Sequence, residues 1–315
     1  MVTPSVAPDL TVRVGDVLLK NPVMSASGTF GYGLEFTPFY DISRLGAVIV
    51  KGLSLLPAPG NPPGRIVETP AGMLNAIGLQ NIGVERFVSD VAPRLEDAGA
   101  VFVANIYGRT IEEYEAVARR VSEVPSLAAI ELNASCPNVK EGGIAFGSNP
   151  EGLSGLTRRV RAATRKPLWV KLSPNVPDIG AIARAAEEAG ADAVTLINTL
   201  IGMAVDPRTR RPKLSNVTGG LSGPAIRPVA VRMVWEACKA VKIPVIGIGG
   251  IQTAEDALEF LLVGAAAVQV GTANFRNPNA CVEIIDGIRD FLVREKMSGI
   301  SEYLGTLLLG DAPGA

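Results

Sequence analysis

Short apolar runs recur along the whole chain, with longer amphipathic stretches between them. The runs are too uniformly apolar to have one solvated face, which is typical of parallel strands covered by helices outside and packed side chains inside. We predict strands within eight runs, at 22–28, 47–54, 101–108, 127–135, 167–174, 191–199, 243–250 and 265–272.

The segments between the runs carry apolar residues at three- and four-residue spacing, which predicts helices. These segments are 84–99, 110–124, 149–164, 177–190, 225–241 and 253–264. Alternating strands and helices indicate either an open doubly wound sheet or a closed barrel, and eight strands favour a (β/α)₈ TIM barrel. No linker or composition shift divides the chain, so we expect residues 1–315 to form a single domain.

Three segments do not follow this alternation. Segment 11–20 alternates apolar and polar residues around Gly15-Asp16, which predicts a β-hairpin that covers the bottom of the barrel. Segments 52–83 and 200–224 are too long for ordinary turns. Insertions of this length in compact domains usually act as lids or binding loops, so we expect long active-site loops here.

Charge and composition exclude several classes of protein. The chain has 30 basic and 31 acidic residues and no Lys/Arg-rich run, which argues against binding to nucleic acid. It has neither a signal peptide pattern nor a run of eighteen apolar residues, so we expect a cytoplasmic protein with no membrane association. There is no histidine, which excludes histidine bases and the usual histidine metal sites, and we expect no metal.

Polar residues end most of the predicted strands, and in parallel barrels these carboxyl ends carry the active site. Lys51 and Lys171 each end an apolar strand, and a buried ammonium group needs an anionic or electron-rich partner. A flavin ring, which gains negative charge on reduction, is such a partner, and an internal salt bridge is the alternative. Two such lysines at separate strand ends favour a functional role.

The other strand ends carry amides and glycines. Asn105, Asn133 and Asn198 offer donors and acceptors suited to a polar planar ligand, although each alone also fits a strand-end cap. The seventh and eighth runs end in Gly249-Gly250 and Gly271-Thr272, at the loops that commonly bind phosphate in barrels. A Rossmann motif is excluded because Gln252 stands where its third glycine is required.

The three cysteines have no C-x-x-C spacing, which excludes a disulfide framework and a zinc knuckle. Cys136 follows the fourth run and precedes Pro137, so we expect its thiol over the mouth of the barrel. Nearby cations lower a thiol pKa, so Cys136 is a candidate general base. Cys238 and Cys281 lie in helical patterns, which predicts small buried hydrophobic side chains.

Two blocks give the chain a specific family resemblance. Residues 133–139 read N-x-S-C-P-N-V and residues 73–81 read M-L-N-A-I-G-L-Q-N. With the strand-end residues, they resemble the class 1 dihydroorotate dehydrogenases, the FMN enzymes that oxidise (S)-dihydroorotate to orotate in pyrimidine (UMP) biosynthesis. Residues 139–143 and 145–147 are similar to type 1B, whose members pair with an electron-transfer subunit that carries FAD and a 2Fe-2S cluster and reduces NAD⁺.

The resemblance implies roles for individual residues. Cys136 removes the C5 proton while a hydride leaves C6 for N5 of FMN, and Lys171 is the second catalytic residue. The implied FMN site is Ser27, Lys51, Gly52, Asn105, Asn133, Lys171, Ile197, Gly223, Gly249, Gly250, Gly271 and Thr272. The implied substrate site is Lys51, Asn75, Ala76, Ile77, Gly78, Leu79, Asn133, Asn198 and Thr199.

The resemblance also implies an assembly, a homodimer core joined by the electron-transfer subunit into a heterotetramer. The three cysteines lack cluster spacing, so the iron-sulfur centre requires that second polypeptide. Ile82 and Tyr107 depart from the residues common in the family, and we expect them to reshape the pocket wall.

Several alternatives stay open. They are a related FMN-dependent dihydropyrimidine dehydrogenase, a fumarate-linked type 1A dihydroorotate dehydrogenase, and a non-catalytic flavin-binding subunit. Another, from a different class, is a barrel lyase that uses Lys171 as a Schiff-base nucleophile.

Overall fold

Eight parallel strands close into a barrel in the computed structural model, which describes residues 7–134 and 146–310. The strands are Val23–Ser25, Ala47–Leu53, Phe102–Ile106, Leu127–Asn133, Leu168–Lys171, Ala193–Leu196, Val245–Ile248 and Ala267–Val270. Each pairs with its neighbour in sequence, and the eighth strand returns to the first through the pair Val268 and Val23. The predicted (β/α)₈ barrel is therefore confirmed, and the open sheet is excluded.

Amphipathic helices cover the outside of the barrel. They are Ile111–Ser122, Pro150–Ala163, Ile179–Glu188, Arg227–Ala240, Ala254–Leu262 and Ala280–Arg294. Side chains that precede four of them cap the first turn by accepting a backbone N–H, namely Thr110, Asn149, Asp178 and Thr253. Within the described residues, no helix has the length and hydropathy needed to cross a bilayer.

Segment 84–99 differs from the single helix that we predicted. It is divided into an α-turn at Val84–Arg86, a π-helical stretch at Phe87–Val91, an α-turn at Ala92–Leu95 and a 3₁₀ turn at Glu96–Ala98. Pro93 explains the division, because proline donates no backbone hydrogen bond and its ring crowds the preceding turn.

The helix Ala280–Arg294 is the element that our prediction from the sequence omitted. It follows the eighth strand and a short helix at Ala273–Arg276, and it packs against the first strand and the helix Ala254–Leu262. The connection from the first strand to the second contains only 3₁₀ turns, at Leu34–Phe36 and Ile42–Arg44. The last helix therefore shields the first strand.

The predicted hairpin is present as Val12–Val14 paired with Val17–Leu19. Gly15 forms its turn with a φ of 59°. A Cβ at Gly15 would lie 3.4 Å from the carbonyl oxygen of Asp192, just before the sixth strand. The hairpin therefore covers the amino-terminal end of the barrel, as expected.

The two long insertions form one sheet. Segment 52–83 contributes Ile66–Thr69 and Gly72–Asn75, and segment 200–224 contributes Leu200–Met203 and Thr218–Ser222. In space the order is Leu200–Met203, Thr218–Ser222, Gly72–Asn75, Ile66–Thr69, and all pairs are antiparallel. Val205–Asp206 and Arg211–Pro212 make a separate ribbon. Leu74, Ala76 and Leu214 give the sheet a small core of its own.

Candidate active site

A cavity of about 300 Å³ opens at the carboxyl ends of the barrel strands, beneath the sheet made by the two insertions. Every residue that the sequence predicted for a flavin or substrate site lines it: Ser27, Lys51, Gly52, Asn75, Ala76, Ile77, Gly78, Leu79, Asn105, Asn133, Lys171, Ile197, Asn198, Thr199, Gly223, Gly249, Gly250, Gly271 and Thr272. Cys136, the predicted base, lies outside the described residues. The structure thus brings residues from distant segments to one place.

Lys51 lies in the second strand and is partly buried where it faces the cavity. Burial lowers the pKa of its ammonium group, and the nearby charge of Arg65 lowers it further. No ion pair joins Lys51 to a carboxylate in the described part of the chain. For Lys51 the structure therefore does not show the internal salt bridge that the sequence left open.

Lys171 does form an internal salt bridge, and it also lines the cavity. Its Nζ lies 3.7 Å from Oε1 of Glu131, a carboxylate with no solvent exposure in the fourth strand. The same carboxylate accepts hydrogen bonds of 2.7 Å from Asn105 Nδ2 and 2.6 Å from Gln269 Nε2. The structure is therefore compatible with both predictions for Lys171, an internal salt bridge and a place beside a bound flavin.

Sequence reasoning missed Glu131 and Gln269, although the signal was present. Each is the one strongly polar residue inside an otherwise apolar strand, in the stretches Leu127–Asn133 and Ala267–Val270. A buried polar side chain must find partners, so both were candidates for an internal network.

The wall formed by residues 75–79 is held by Asn61, which the sequence analysis also missed. Asn61 Nδ2 donates to the carbonyl oxygen of Ala76 at 2.8 Å, and the Asn61 N–H donates to that of Ile77 at 2.9 Å. Gly78 has a φ of 73°, and a Cβ there would lie 2.7 Å from the Asn61 nitrogen. Leu79 also has a positive φ, of 55°, an unusual conformation for a residue with a side chain.

Ile82 and Tyr107 do not line the cavity, which corrects the expectation that they shape its wall directly. The Tyr107 hydroxyl donates to the carbonyl oxygen of Leu79 at 3.0 Å and accepts from Asn81 Nδ2 at 3.0 Å. The Ile82 N–H donates to Tyr32 Oη at 3.4 Å. Tyr107 therefore stabilises the cavity wall indirectly, through its hydrogen bond to Leu79.

The two described cysteines are not candidate bases. Cys281 has no solvent exposure and Cys238 is largely buried, in the helices Ala280–Arg294 and Arg227–Ala240. Burial raises the pKa of each thiol to about 12. Both are neutral near pH 7, which agrees with the predicted structural role.

A family model described as dihydroorotate dehydrogenase matches residues 9–292. The chain belongs to the dihydroorotate dehydrogenase family. It is similar over nearly its whole length to curated proteins named dihydroorotate dehydrogenase B (NAD(+)), catalytic subunit. The relative from Trichlorobacter lovleyi is 56% identical over 300 residues, which cover 95% of this chain and 99% of the relative. The relative from Geotalea daltonii is 54% identical over 95% of this chain and 98% of its own length. The relative from Bacteroides thetaiotaomicron is also 54% identical, over 95% of this chain and 99% of its own length.

Dihydroorotate dehydrogenases are flavin-dependent, and the cavity offers polar atoms that fit a flavin. Asn105 is 1% exposed, and within the described residues its Oδ1 has no hydrogen-bond partner. That atom lies at the cavity wall beside Gly52, where a Cβ would approach it to 2.8 Å. A buried acceptor without a partner is costly, so this atom suits a ligand that brings an N–H group, such as the imide of a flavin.

The opposite end of the cavity is built from close-packed backbone. A Cβ at Gly250 would lie 2.8 Å from the carbonyl oxygen of Gly223, and a Cβ at Gly223 would lie 2.6 Å from the Cα of Gly72. Gly223 and Gly250 also have φ values of 94° and 77°. Thr272 Oγ1 donates to Ser222 Oγ at 2.8 Å, which joins the eighth strand to the insertion sheet. Glycines in this region line the cavity without a side chain that would obstruct a phosphate.

Proposed function

We propose that the protein is the catalytic subunit of an NAD⁺-linked, type 1B dihydroorotate dehydrogenase. It oxidises (S)-dihydroorotate to orotate, in the synthesis of UMP, with one FMN per chain. One observation carries the proposal: a single cavity collects all of the described residues that the family resemblance assigns to flavin and substrate. The shared name of the relatives supports the same activity.

In this proposal, the loops after the seventh and eighth strands would hold the phosphate of FMN. Gly223, Gly249, Gly250, Gly271 and Thr272 supply the backbone of that region. The flavin ring would be held by residues at the other strand ends, namely Ser27, Lys51, Gly52, Asn105, Asn133, Lys171 and Ile197. Asn105 Oδ1, which has no hydrogen-bond partner among the described residues, would accept from the ring imide, and Lys171 would supply positive charge beside the reduced ring.

The substrate lies between the ring and the wall formed by Asn75, Ala76, Ile77, Gly78 and Leu79. Lys51 has no carboxylate partner in the described residues, and Arg65 adds a second positive charge nearby. The two charges suit the carboxylate of dihydroorotate. Asn133, Asn198 and Thr199 supply the amide and hydroxyl groups for the pyrimidine ring.

Cys136 is the proposed base that takes the C5 proton, and a bound flavin would supply the acceptor for the hydride from C6. In the sequence, Cys136 follows Ala134 by two residues, shortly after the strand Leu127–Asn133. The described lining of the cavity contains no Asp, Glu, Cys or Tyr, and its two lysines, Lys51 and Lys171, are assigned in this proposal to the substrate carboxylate and the flavin.

Electrons pass to NAD⁺ through a partner subunit that carries FAD and a 2Fe-2S cluster. The relatives' name, "catalytic subunit", supports the existence of such a partner. We also propose that residues 1–315 form one FMN-binding domain, that two copies make a homodimer core within a heterotetramer, and that the protein is cytoplasmic.

The lyase alternative is disfavoured by the structure. A Schiff-base lysine reacts as a neutral amine, whereas Lys171 Nζ lies 3.7 Å from the buried carboxylate of Glu131. Dihydropyrimidine dehydrogenase and the fumarate-linked type 1A enzyme remain as alternatives that substrate and acceptor can distinguish.

The deciding experiment is an anaerobic absorbance spectrum of the purified yellow protein. Addition of dihydroorotate should bleach the flavin, dihydrouracil should not, and NAD⁺ should restore the colour only with the co-purified partner. Bleaching by dihydrouracil would support the dihydropyrimidine enzyme, and reoxidation by fumarate alone would support type 1A. A colourless protein, or one whose flavin neither compound reduces, contradicts the proposal.

A further inference from the structure

Glu131 has no role in the proposed reaction, yet it lies at the centre of the barrel interior. It is in the fourth strand, and its side chain has no solvent exposure. Isolated buried carboxylates are strongly unfavourable, so their presence requires compensation from charges and donors.

The compensation comes from three other strands. Asn105 in the third strand and Gln269 in the eighth donate amide hydrogen bonds of 2.7 and 2.6 Å, and Lys171 in the fifth lies 3.7 Å away. The fourth and eighth strands are on opposite sides of the closed barrel. The contact between Glu131 and Gln269 therefore spans the interior directly beneath the cavity.

The carboxylate determines how the Asn105 amide is oriented. A carboxylate only accepts, so Asn105 must turn its NH₂ group towards Glu131 and its Oδ1 away. That Oδ1 is a buried acceptor for which residues 7–134 and 146–310 supply no hydrogen-bond partner. Gln269 is arranged in the same way: its Nε2 donates to Glu131, and its buried Oε1 has no partner in the described part of the chain.

We propose that Glu131 is a positioning residue for the flavin: it orients the Asn105 amide and the Lys171 ammonium, and its negative charge sets the reduction potential of the bound ring. The inference rests on the proposed function only in that FMN binds in this cavity. Glu131 itself touches neither ring nor substrate and acts through Asn105 and Lys171.

The direction of the effect follows from charge. Reduction places negative charge on the ring, the Lys171 ammonium favours it, and the Glu131 carboxylate opposes it. Electrostatic effects reach further in a buried site than in water, because the effective dielectric constant is lower. Removal of the Glu131 charge should therefore make the flavin easier to reduce and harder for the partner to reoxidise.

The test compares the FMN midpoint potential of the holoenzyme and its variants in anaerobic titrations with a reference dye. Glu131→Gln removes the charge and keeps the shape. We expect the equilibrium to shift at least tenfold towards reduced flavin, about 30 mV for a two-electron couple. Glu85→Gln removes an exposed carboxylate that pairs with Arg120 on the surface, and it should leave the potential unchanged.

Two further variants separate the charge from the hydrogen bonds. Gln269→Met breaks the contact across the barrel and keeps the carboxylate, so its potential should shift less than half as far as that of Glu131→Gln. Glu131→Asp keeps the charge but shortens the side chain, so the potential should stay near that of the wild type while FMN binds at least threefold more weakly. If Glu131→Gln fails to retain flavin, the FMN affinity of Glu131→Asp still tests the positioning of Asn105.

An unchanged potential in flavin-loaded Glu131→Gln overturns the proposal, as does an equal shift in Gln269→Met. Unchanged FMN affinity in Glu131→Asp overturns the positioning of Asn105. Failure of the proposed function can be distinguished from failure of this inference. A wild-type protein that holds flavin but does not oxidise dihydroorotate contradicts the proposed function, and its flavin potential still tests the role of Glu131. A wild-type protein that binds no FMN overturns both.

Discussion

The hydroxyl of Tyr107 donates a hydrogen bond of 3.0 Å to the carbonyl oxygen of Leu79, from behind the cavity wall. Leu79 has a φ of 55° and ends the segment that we propose to contact the substrate. The tyrosine is 5% exposed, so this contact is part of the core and also part of the support for the site. It connects the third strand to the first insertion.

Tyr107→Phe should therefore weaken substrate binding more than flavin binding. The variant leaves the Leu79 carbonyl without this donor and removes one acceptor of Asn81, which costs about 1–2 kcal/mol of unfolding free energy. We expect the KM for dihydroorotate to rise severalfold and the Kd for FMN to stay within twofold of the wild-type value. Steady-state kinetics, flavin titration and thermal unfolding measure these effects. Tyr303→Phe, remote from the cavity, is the control, and an equal rise of KM in both variants would contradict the assignment.

Cys136→Ser tests the proposed base. The variant should remain yellow and lose most dihydroorotate oxidation at neutral pH, because a serine hydroxyl is a far weaker base than a thiol. The residual rate should increase with pH, because a hydroxyl loses its proton only in a more alkaline solution than a thiol does. Cys238→Ala is the control, since burial raises the pKa of Cys238 to about 12 and its helix lies outside the cavity. Wild-type turnover in Cys136→Ser would exclude the role.

The pH dependence of KM should report Lys51. Burial and Arg65 both lower the pKa of its ammonium, so the group loses its charge at a lower pH than an ordinary lysine, with reference pKa about 10.4. Affinity for the anionic substrate should be full below this lowered pKa and should fall as the pH rises through it.

Arg65→Gln should shift this alkaline loss to higher pH, because removal of the neighbouring positive charge raises the Lys51 pKa. At neutral pH the same variant should have a higher KM, since one attractive charge is lost. Lys213→Gln, an exposed position in the second insertion, is the control and should leave the profile unchanged. If KM depends on pH in the same way in Arg65→Gln and in the wild type, the charge of Arg65 does not affect the pKa of Lys51.

Gly250→Ala should weaken FMN binding at least tenfold. The added Cβ would lie 2.8 Å from the Gly223 carbonyl oxygen, and the φ of 77° disfavours any side chain. The matched control is Gly155→Ala in the helix Pro150–Ala163, where a Cβ meets nothing within 4 Å. Helix propensity favours that change by up to about 1 kcal/mol, and FMN binding should not change. Flavin fluorescence titration measures both, and equal Kd values would argue against a phosphate site at Gly250.

Local patterns in the sequence were sufficient to predict the barrel. Eight apolar runs separated by amphipathic segments specify parallel strands with helices outside, because burial on both faces leaves that pattern in each segment separately. The position of Lys51, Asn105, Asn133 and Lys171 at strand ends follows from the same runs. Parallel strands bring their carboxyl ends to one side, so these residues had to converge.

The tertiary structure alone decided which distant segments contact one another. The pairing of Gly72–Asn75 with Thr218–Ser222, and the contact of Glu131 with Gln269 across the barrel, join residues more than a hundred positions apart. Neither contact can be predicted from a short stretch of sequence, because antiparallel register and side-chain partners depend on where the closed barrel places each element. The chain itself determined that Glu131 would be buried, because it lies in an apolar strand. Only the geometry of closure determined that an amide on the opposite strand would reach it.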